Sequence, residues 1–315
     1  MLKEYRQQKT QNSFSLNYYI VIPAHNEEAF LANTLQSVVL QTLQPKRVII
    51  VNDNSTDGTE RIIDQFVNDN SVFKKLNINS SQEHMPGSKV VNAFNNGLEQ
   101  LDEAYDFIVK LDADLILPIN YFEKIATVFA NHPKAGLIGG FVYEENSKGE
   151  WELNHPMDKD HVRGAFKAYS KNCFKAIGGL KCAMGWDTVD ELLTQYHGFE
   201  IKTIESLKVK HLRPTGTAYN AKSKLLQGEA MFSMDYGFVL TMVASLKMAV
   251  KQKNVRALYH NLKGFGKARK NGLPKLVTVN EGKFIRSLRW KGIKRKMGLY
   301  YKTTLTVPSG WFYKL

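Results

Sequence analysis

The sequence predicts an α/β domain on a mostly parallel sheet with helices on both faces, followed by a basic helical extension. Three observations predict it. Short apolar runs alternate with amphipathic segments from residue 16 to about 115, as expected of buried strands joined by helices. Polar clusters stand directly after three of those runs, at His25 to Glu27, Asp53, and Asp112 to Asp114. In such sheets ligands bind beyond the carboxyl ends of the strands. The charge is also divided: residues 216–315 carry 20 Lys and Arg against 3 Asp and Glu, and residues 1–215 carry 23 against 27.

Residues 18–22 form an apolar run stopped by Pro23, which reads as the first strand. Residues 28–43 place Phe30, Leu31, Leu35, Val38 and Val39 at helical spacing, with Pro45 soon after. A second strand is expected over 47–51, a helix over 56–66, a third strand over 73–78 and a helix over 88–101. The fourth strand, 106–111, stops at Asp112. Further strands are read at 137–143 and 165–169, with 144–160 as a polar loop between them. A helix over 188–196 and a strand over 200–211 complete the domain. Beyond Pro214 helical patterns run to about Lys270, and a Gly-, Lys- and Arg-rich tail follows. The expected division is therefore an α/β domain at 1–215, with halves at about 16–115 and 136–215, and a mainly helical extension at 216–315.

The chain has 315 residues, 43% of them hydrophobic and 23% charged, which argues against wholesale disorder. Cys173 and Cys182 are the only cysteines. They exclude a disulfide framework and read as two buried free thiols in a reducing compartment. The opening MLKEYRQQKTQNS lacks the apolar middle of an export signal. The longest late uncharged stretch, 236–246, is 11 residues, whereas a membrane span needs about 20. A cytoplasmic protein is expected, with peripheral attachment at the cytoplasmic face of the membrane.

The strongest chemical signal is Leu111-Asp112-Ala113-Asp114 at the end of an apolar strand. Two carboxylates separated by one residue reach a single hard cation, Mn²⁺ or Mg²⁺, which also takes phosphate oxygens. Standing alone, Asp-x-Asp is as readily a solvated turn. Two further clusters weigh against that. Pro23-Ala24-His25-Asn26-Glu27 ends the first strand and Asp53-Asn54-Ser55-Thr56-Asp57-Gly58-Thr59 ends the second.

With these three motifs in this order the chain resembles the family 2 glycosyltransferases, over roughly residues 16–215. The resemblance implies the GT-A fold, a nucleotide-sugar donor and inversion at the anomeric carbon. It implies that Pro23, Ala24 and Glu27 line the nucleoside pocket and that Asp53 hydrogen-bonds the base, commonly uracil. Lys89 and Arg213 are expected near the diphosphate. Asp112, Asp114 and His211 are expected to hold the metal, with Asp112 also beside the donor. The family commonly opens an acceptor-side helix with Glu-Asp, the Asp being the base; here Trp186-Asp187 stands in that place. The family's interval to the glycine before the next strand, Gly198 here, favours Asp187 as base, with Asp190 as the other candidate.

The reaction expected is transfer of a sugar from a nucleotide-sugar, UDP-linked, to a hydroxyl of a saccharide or lipid-linked acceptor, as in cell-surface polysaccharide or glycolipid synthesis. Two other classes accord less well with the sequence. A sugar nucleotidyltransferase favours a Gly-rich phosphate loop after the first strand, where this chain has Pro-Ala-His-Asn-Glu. A nucleic-acid-binding protein accords with the basic extension, but no nucleic-acid motif is present, and no nucleic-acid partner is expected. The cations after residue 247, next to the apolar stretch 232–250, suggest an anionic membrane surface as a partner.

Overall fold

The computed structural model describes residues 16–80, 87–154, 161–213 and 221–296. Its first half follows the expected alternation: β1 (Tyr18–Ala24), α1 (Leu31–Val39), β2 (Arg47–Asp53), α2 (Thr59–Asp69), β3 (Phe73–Ile78), α3 (Ser88–Leu98) and β4 (Phe107–Leu111). After it come β5 (Leu115–Ile116), α4 (Tyr121–Asn131), β6 (Ala135–Glu145), β7 (Trp151–Leu153), β8 (Phe166–Ser170), α5 (Lys171–Ala176), α6 (Trp186–Tyr196) and β9 (Glu200–His211). Four helices close the described chain: α7 (Ala221–Ser233), α8 (Phe238–Lys251), α9 (Val255–Lys270) and α10 (Val279–Lys296).

The strands form one nine-stranded sheet in the order β3-β2-β1-β4-β8-β6-β9-β5, with β7 paired to β6. The four strands from β3 to β4 are parallel; the central β1 is a continuous apolar run because both of its faces are covered, whereas the edge strand β3 carries Lys74, Lys75 and Asn77. Beyond β4 the sheet is mixed. β8 runs antiparallel to both β4 and β6, while β6 and β9 are parallel. The mostly parallel expectation thus describes the first half of the chain, and hairpin-like returns in the second half make the rest.

Several elements escaped the sequence reading, each with a local cause. The segment read as a polar loop contains β7, because Asn146 turns the chain. Its Oδ1 accepts the backbone N–H of Lys148 at 2.8 Å and of Glu150 at 3.0 Å, the side-chain turn that Asn favours. The other residues of that segment, 155–160, lie outside the described ones. The tail expected after Lys270 contains α10. Thr278 and Glu281 form a capping box there: Thr278 N donates to Glu281 Oε2 at 2.6 Å, and Glu281 N to Thr278 Oγ1 at 3.4 Å. Helix α1 is shorter than the periodicity predicts. The chain before it turns through Asn26 at φ 55°, and after it Gln41 Nε2 binds Ser37 O and Pro118 O, both at 2.9 Å.

The four C-terminal helices pack on one another and on α6. Helices α7 and α9 cross backbone to backbone: a Cβ on Gly228 would lie 1.9 Å from Asn261 O, and one on Gly264 would lie 2.0 Å from Leu225 O. Only glycine permits that approach. Tyr196 of α6 meets Phe284 of α10 with ring centroids 5.5 Å apart. Of the two cysteines, Cys173 is buried as expected, but Cys182 is exposed, because it stands in the loop before α6.

Candidate active site

The ends of β1 and β2 are zipped together by the polar residues of their motifs. Asn26 N donates to Ser55 Oγ at 3.1 Å and Thr56 N to Asn26 Oδ1 at 2.8 Å. Glu27 N donates to Thr59 Oγ1 at 2.7 Å, and Gly58 N to Glu28 Oε2 at 3.0 Å. The nearly continuous run of Asn, Ser, Thr, Asp and Glu in the two motifs therefore satisfies loop backbone that no strand can pair. His25 Nδ1 donates to Asp53 O at 2.6 Å. The buried Asp53 carboxylate accepts from Ser80 N at 2.9 Å and Ser80 Oγ at 2.6 Å. It retains acceptor capacity beyond those two bonds. Pro23 and Ala24 complete this wall, Ala24 buried at its base.

The Asp112-Ala113-Asp114 turn is held from below by α1, through a residue the sequence reading did not single out. Thr34, wholly buried, donates its hydroxyl to Ala113 O at 2.7 Å and accepts Leu115 N at 2.9 Å. On its other side the turn meets the end of β9. Leu115 pairs with His211, and Leu212 N donates to Asp114 O at 2.9 Å. His211 Nε2 lies 3.3 Å from Asp114 Oδ2, and His211 Nδ1 lies 3.4 Å from Glu144 Oε1. Arg213 Nε is 3.8 Å from the same Asp114 oxygen, and its guanidinium also binds Glu27. The expected residues Glu27, Asp112, Asp114, His211 and Arg213 thus converge, from β1, β4 and β9.

The electrostatics of this cluster are mixed. Burial works against the Asp114 carboxylate, but His211, Arg213 and Lys110 outweigh it and hold its pKa below the ordinary value. His211 is raised by Asp114, Asp112 and Glu144 in spite of burial. Burial pushes Glu27 up to about 7; Arg213 opposes the shift, and Asp114 and Asp112 add to it. Asp114 Oδ1 is buried with no hydrogen-bond partner among the described residues. A buried carboxylate oxygen left without a donor is costly unless something else meets it, and a cation would accept its unused lone pairs. Among the described residues no three His, Cys, Asp or Glu side chains form a ready-made metal cage. A site using these groups draws further ligands from elsewhere, as Mg²⁺ and Mn²⁺ do from phosphate oxygens.

Two buried lysines divide this cluster from the acids of α6, and neither was foreseen. Lys110 on β4 and Lys167 on β8 are paired across the sheet and almost wholly buried. Like charges directly opposite repel, and each is met by a carboxylate. Lys110 binds Asp112 and donates to Gly164 O at 2.9 Å. Lys167 donates to both oxygens of Asp190, at 2.8 and 2.9 Å, and to Asp187 O at 2.6 Å. Burial disfavours its charge, but Asp190, Glu191 and Asp187 raise its pKa above the usual lysine value. Trp186 is buried between the two, its ring centroid 5.2 Å from Lys110 Nζ and 5.6 Å from Lys167 Nζ. Cation–π attraction then offsets part of the desolvation. A sequence signal existed: each lysine interrupts an otherwise apolar strand.

Helix α6 holds its three acids in different surroundings. Asp190 is 1% exposed; its carboxylate also accepts the Tyr169 hydroxyl. Glu191 is tied to Val162 N at 2.9 Å and to His161 Nδ1 at 3.1 Å. Asp187 lies in the first turn, partly exposed, and its carboxylate makes no hydrogen bond with another described residue. A Cβ on Gly164 would lie 3.3 Å from Asp187 Cβ and 3.1 Å from Trp186 Cζ2. Lys89 is the second residue of α3, half-buried, without an ion pair to another described residue. Arg163 Nη2 donates to Asn154 O at 3.3 Å and so braces the hairpin of β6 and β7.

A sequence profile described as glycosyl transferase family 2 matches residues 19–191, more than half of the chain. The chain belongs to that family. Over 121 residues it is 30% identical to the poly-beta-1,6-N-acetyl-D-glucosamine synthase of Staphylococcus epidermidis, a match covering 38% of this chain and 27% of that protein. The chain thus spans about a quarter of the length of the curated relatives it matches. The fold is that of solved GT-A transferases. It is similar to S. aureus TarS 1-349 in complex with UDP-GlcNAc, with a TM-score of 0.56 and 16% identity over 91% of this chain and 93% of that one. It is likewise similar to the mannosyltransferase PcManGT of Pyrobaculum calidifontis in complex with GDP-Man and Mn²⁺, with a TM-score of 0.52 and 13% identity over 95% and 88%. Among the described residues no helix is long and apolar enough to cross a membrane.

Proposed function

We propose that this family 2 glycosyltransferase uses a UDP-sugar and transfers the sugar, with inversion, to a hydroxyl of a saccharide or lipid-linked acceptor in cell-surface polysaccharide or glycolipid synthesis. The observation that carries the reading is the buried Asp114 Oδ1, unpartnered among the described residues, beside Asp112 and His211, at strand ends next to the interlocked β1 and β2 loops. In this reading Pro23, Ala24, Glu27 and Asp53 take the nucleoside, and Lys89 and Arg213 lie along the diphosphate. Asp112, Asp114 and His211 would hold Mn²⁺ or Mg²⁺, which when bound neutralises charge on the departing diphosphate. The domain boundary we propose falls near residue 215, before the four basic helices.

Asp187 is proposed as the general base. Its carboxylate is partly exposed and makes no hydrogen bond with another described residue, whereas that of Asp190 is spent on Lys167 and Tyr169. Lys167 holds the carbonyl of Asp187 and so fixes the first turn of α6. The Asp187 carboxylate takes the proton of the acceptor hydroxyl as its oxygen attacks the anomeric carbon, and the nucleoside diphosphate leaves from the opposite face. A single displacement of this kind requires one base and gives inversion. The similarity of the fold to transferases solved with UDP-GlcNAc and with GDP-Man and Mn²⁺ supports a nucleotide-sugar donor without choosing the sugar. Peripheral attachment at an anionic, cytoplasmic membrane face belongs to the same reading.

The test is a screen of nucleotide sugars, with Mn²⁺ present, for thermal stabilisation and slow donor hydrolysis. One or more UDP-sugars should stabilise the protein and be turned over, and NMR of the transfer product should show the opposite anomer. Release of pyrophosphate from a sugar 1-phosphate and a nucleoside triphosphate, with no nucleotide-sugar binding, would instead make it a nucleotidyltransferase.

A further inference from the structure

Helix α8 is inside out. Its buried face carries Leu240 but otherwise Thr241, Ser245 and Ala249, while Phe238, Met242, Leu246 and Val250 are 42–71% exposed along the neighbouring, outward face. Thr241 returns its hydroxyl to Gly237 O at 2.8 Å, and Ser245 faces Met231 Sδ at 4.0 Å, so the small polar residues are the ones fixed inside. A water-facing helix shows the reverse pattern. Of the twelve large apolar side chains left exposed among the described residues, seven lie between Phe238 and Tyr259. Contiguous exposed apolar surface of this kind marks an interaction site.

Charge identifies the partner. From Tyr236 to Asn280 the sequence has nine Lys and Arg and no Asp or Glu. Lys251, Lys253 and Arg256 are exposed at the end of α8 and the start of α9, next to Val250 and Val255. A second copy of the chain seated on this face would bring the two cationic rims together, and like charges disfavour that contact. Anionic lipid satisfies both features, with apolar side chains among the acyl chains and cations at the headgroups. The 14 residues of α8 extend about 21 Å, short of the roughly 30 Å hydrocarbon core, so the helix lies along the surface.

We propose that the outer face of α8, with the start of α9, docks this protein on an anionic lipid bilayer. The docked helices reach the acceptor side through their neighbours α7 and α10. Helix α7 packs under Gly185, where a Cβ would lie 3.5 Å from Ala230 Cβ, and α10 meets α6 through Tyr196–Phe284 and His197–Glu281. Docking would therefore tether the unit that carries α6, with Asp187 in its first turn, to the surface that holds a lipid-linked acceptor. That last consequence rests on the transferase reading; the docking does not.

The test uses the full chain and sedimentation with vesicles of phosphatidylcholine alone or with about 30% phosphatidylglycerol, at about 50 and 500 mM salt. Binding is expected only to the anionic vesicles, weakening at high salt. The triple variant Lys251→Glu, Lys253→Glu, Arg256→Glu should lower the partition coefficient about 100-fold, and Phe238→Ser with Leu246→Ser at least about 10-fold. Circular dichroism should show both folded, since the altered residues are exposed. The proposal is overturned if the chain stays in solution with anionic vesicles at low salt, or if the serine variant binds as the parent does. It is equally overturned if that variant merely converts a dimer into a monomer. Donor hydrolysis measured on the same samples separates loss of docking from failure of the transferase reading.

Discussion

Asp187 and Asp190 stand three residues apart on α6, yet the two should respond oppositely to the same substitution. In Asp190→Asn the buried Lys167 ammonium loses a two-oxygen partner at 2.8 and 2.9 Å and keeps Glu191 Oε1 at 3.4 Å. Breaking a buried ion pair by removing one partner costs about 3–5 kcal/mol. At roughly 2–4 °C per kcal/mol for a domain of this size, the melting temperature should fall by ~6–20 °C. Lys167→Met should cost a similar amount, because it strands Asp190 and Glu191, and the double variant should cost less than the sum. Asp187→Asn removes a partly exposed carboxylate with no hydrogen bond to another described residue, so its stability should stay within about 1 kcal/mol of the parent. Transfer should nevertheless slow by ~100-fold or more, with nucleoside diphosphate binding unchanged. The assays are thermal melting and transfer measured below the lowest melting point. If Asp190→Asn melts like the parent but is inactive, while Asp187→Asn transfers normally, Asp190 is the base and the reasoning fails.

Three further outcomes are expected. Chelator should abolish donor turnover and Mn²⁺ or Mg²⁺ restore it, and Asp114→Asn should lose the thermal stabilisation that Mn²⁺ with UDP gives; full activity in excess chelator refutes the metal site. Glu27, raised by burial to about 7, favours its protonated form when folded, so its stabilising effect is complete below its unfolded pKa of about 4.5 and is lost as pH rises through 7. Glu27→Gln should flatten urea-measured stability between those limits by ~3 kcal/mol, and unchanged slopes would contradict the assignment. Gly264→Ala places a Cβ 2.0 Å from Leu225 O, backbone that cannot swing aside, and should destabilise by about 1–3 kcal/mol. Gly266→Ala on the same helix meets nothing within 4 Å and should stabilise by up to ~1 kcal/mol; equal effects would refute the close crossing.

The sequence by itself determined the first four strands, the helices between them and the three polar clusters at their ends. Each is a local pattern, an apolar run or a motif of adjacent residues, and strand continuity needs no distant partner to be legible. It also contained, unread, the capping box at Thr278 and Glu281 and the turn at Asn146. Only the tertiary structure decided which groups meet. Arg213 reaches Glu27 across 186 residues, and His211 meets Asp114 because β9 pairs with β5. Lys110 and Lys167 face each other because β8 runs antiparallel to β4. From sequence Asp187 and Asp190 are neighbours on one face. In the fold one points at a buried ammonium and the other does not, since a helix buries only the face that packs against the sheet. Contacts of that kind depend on strand order and register, which long-range packing sets and no local pattern encodes.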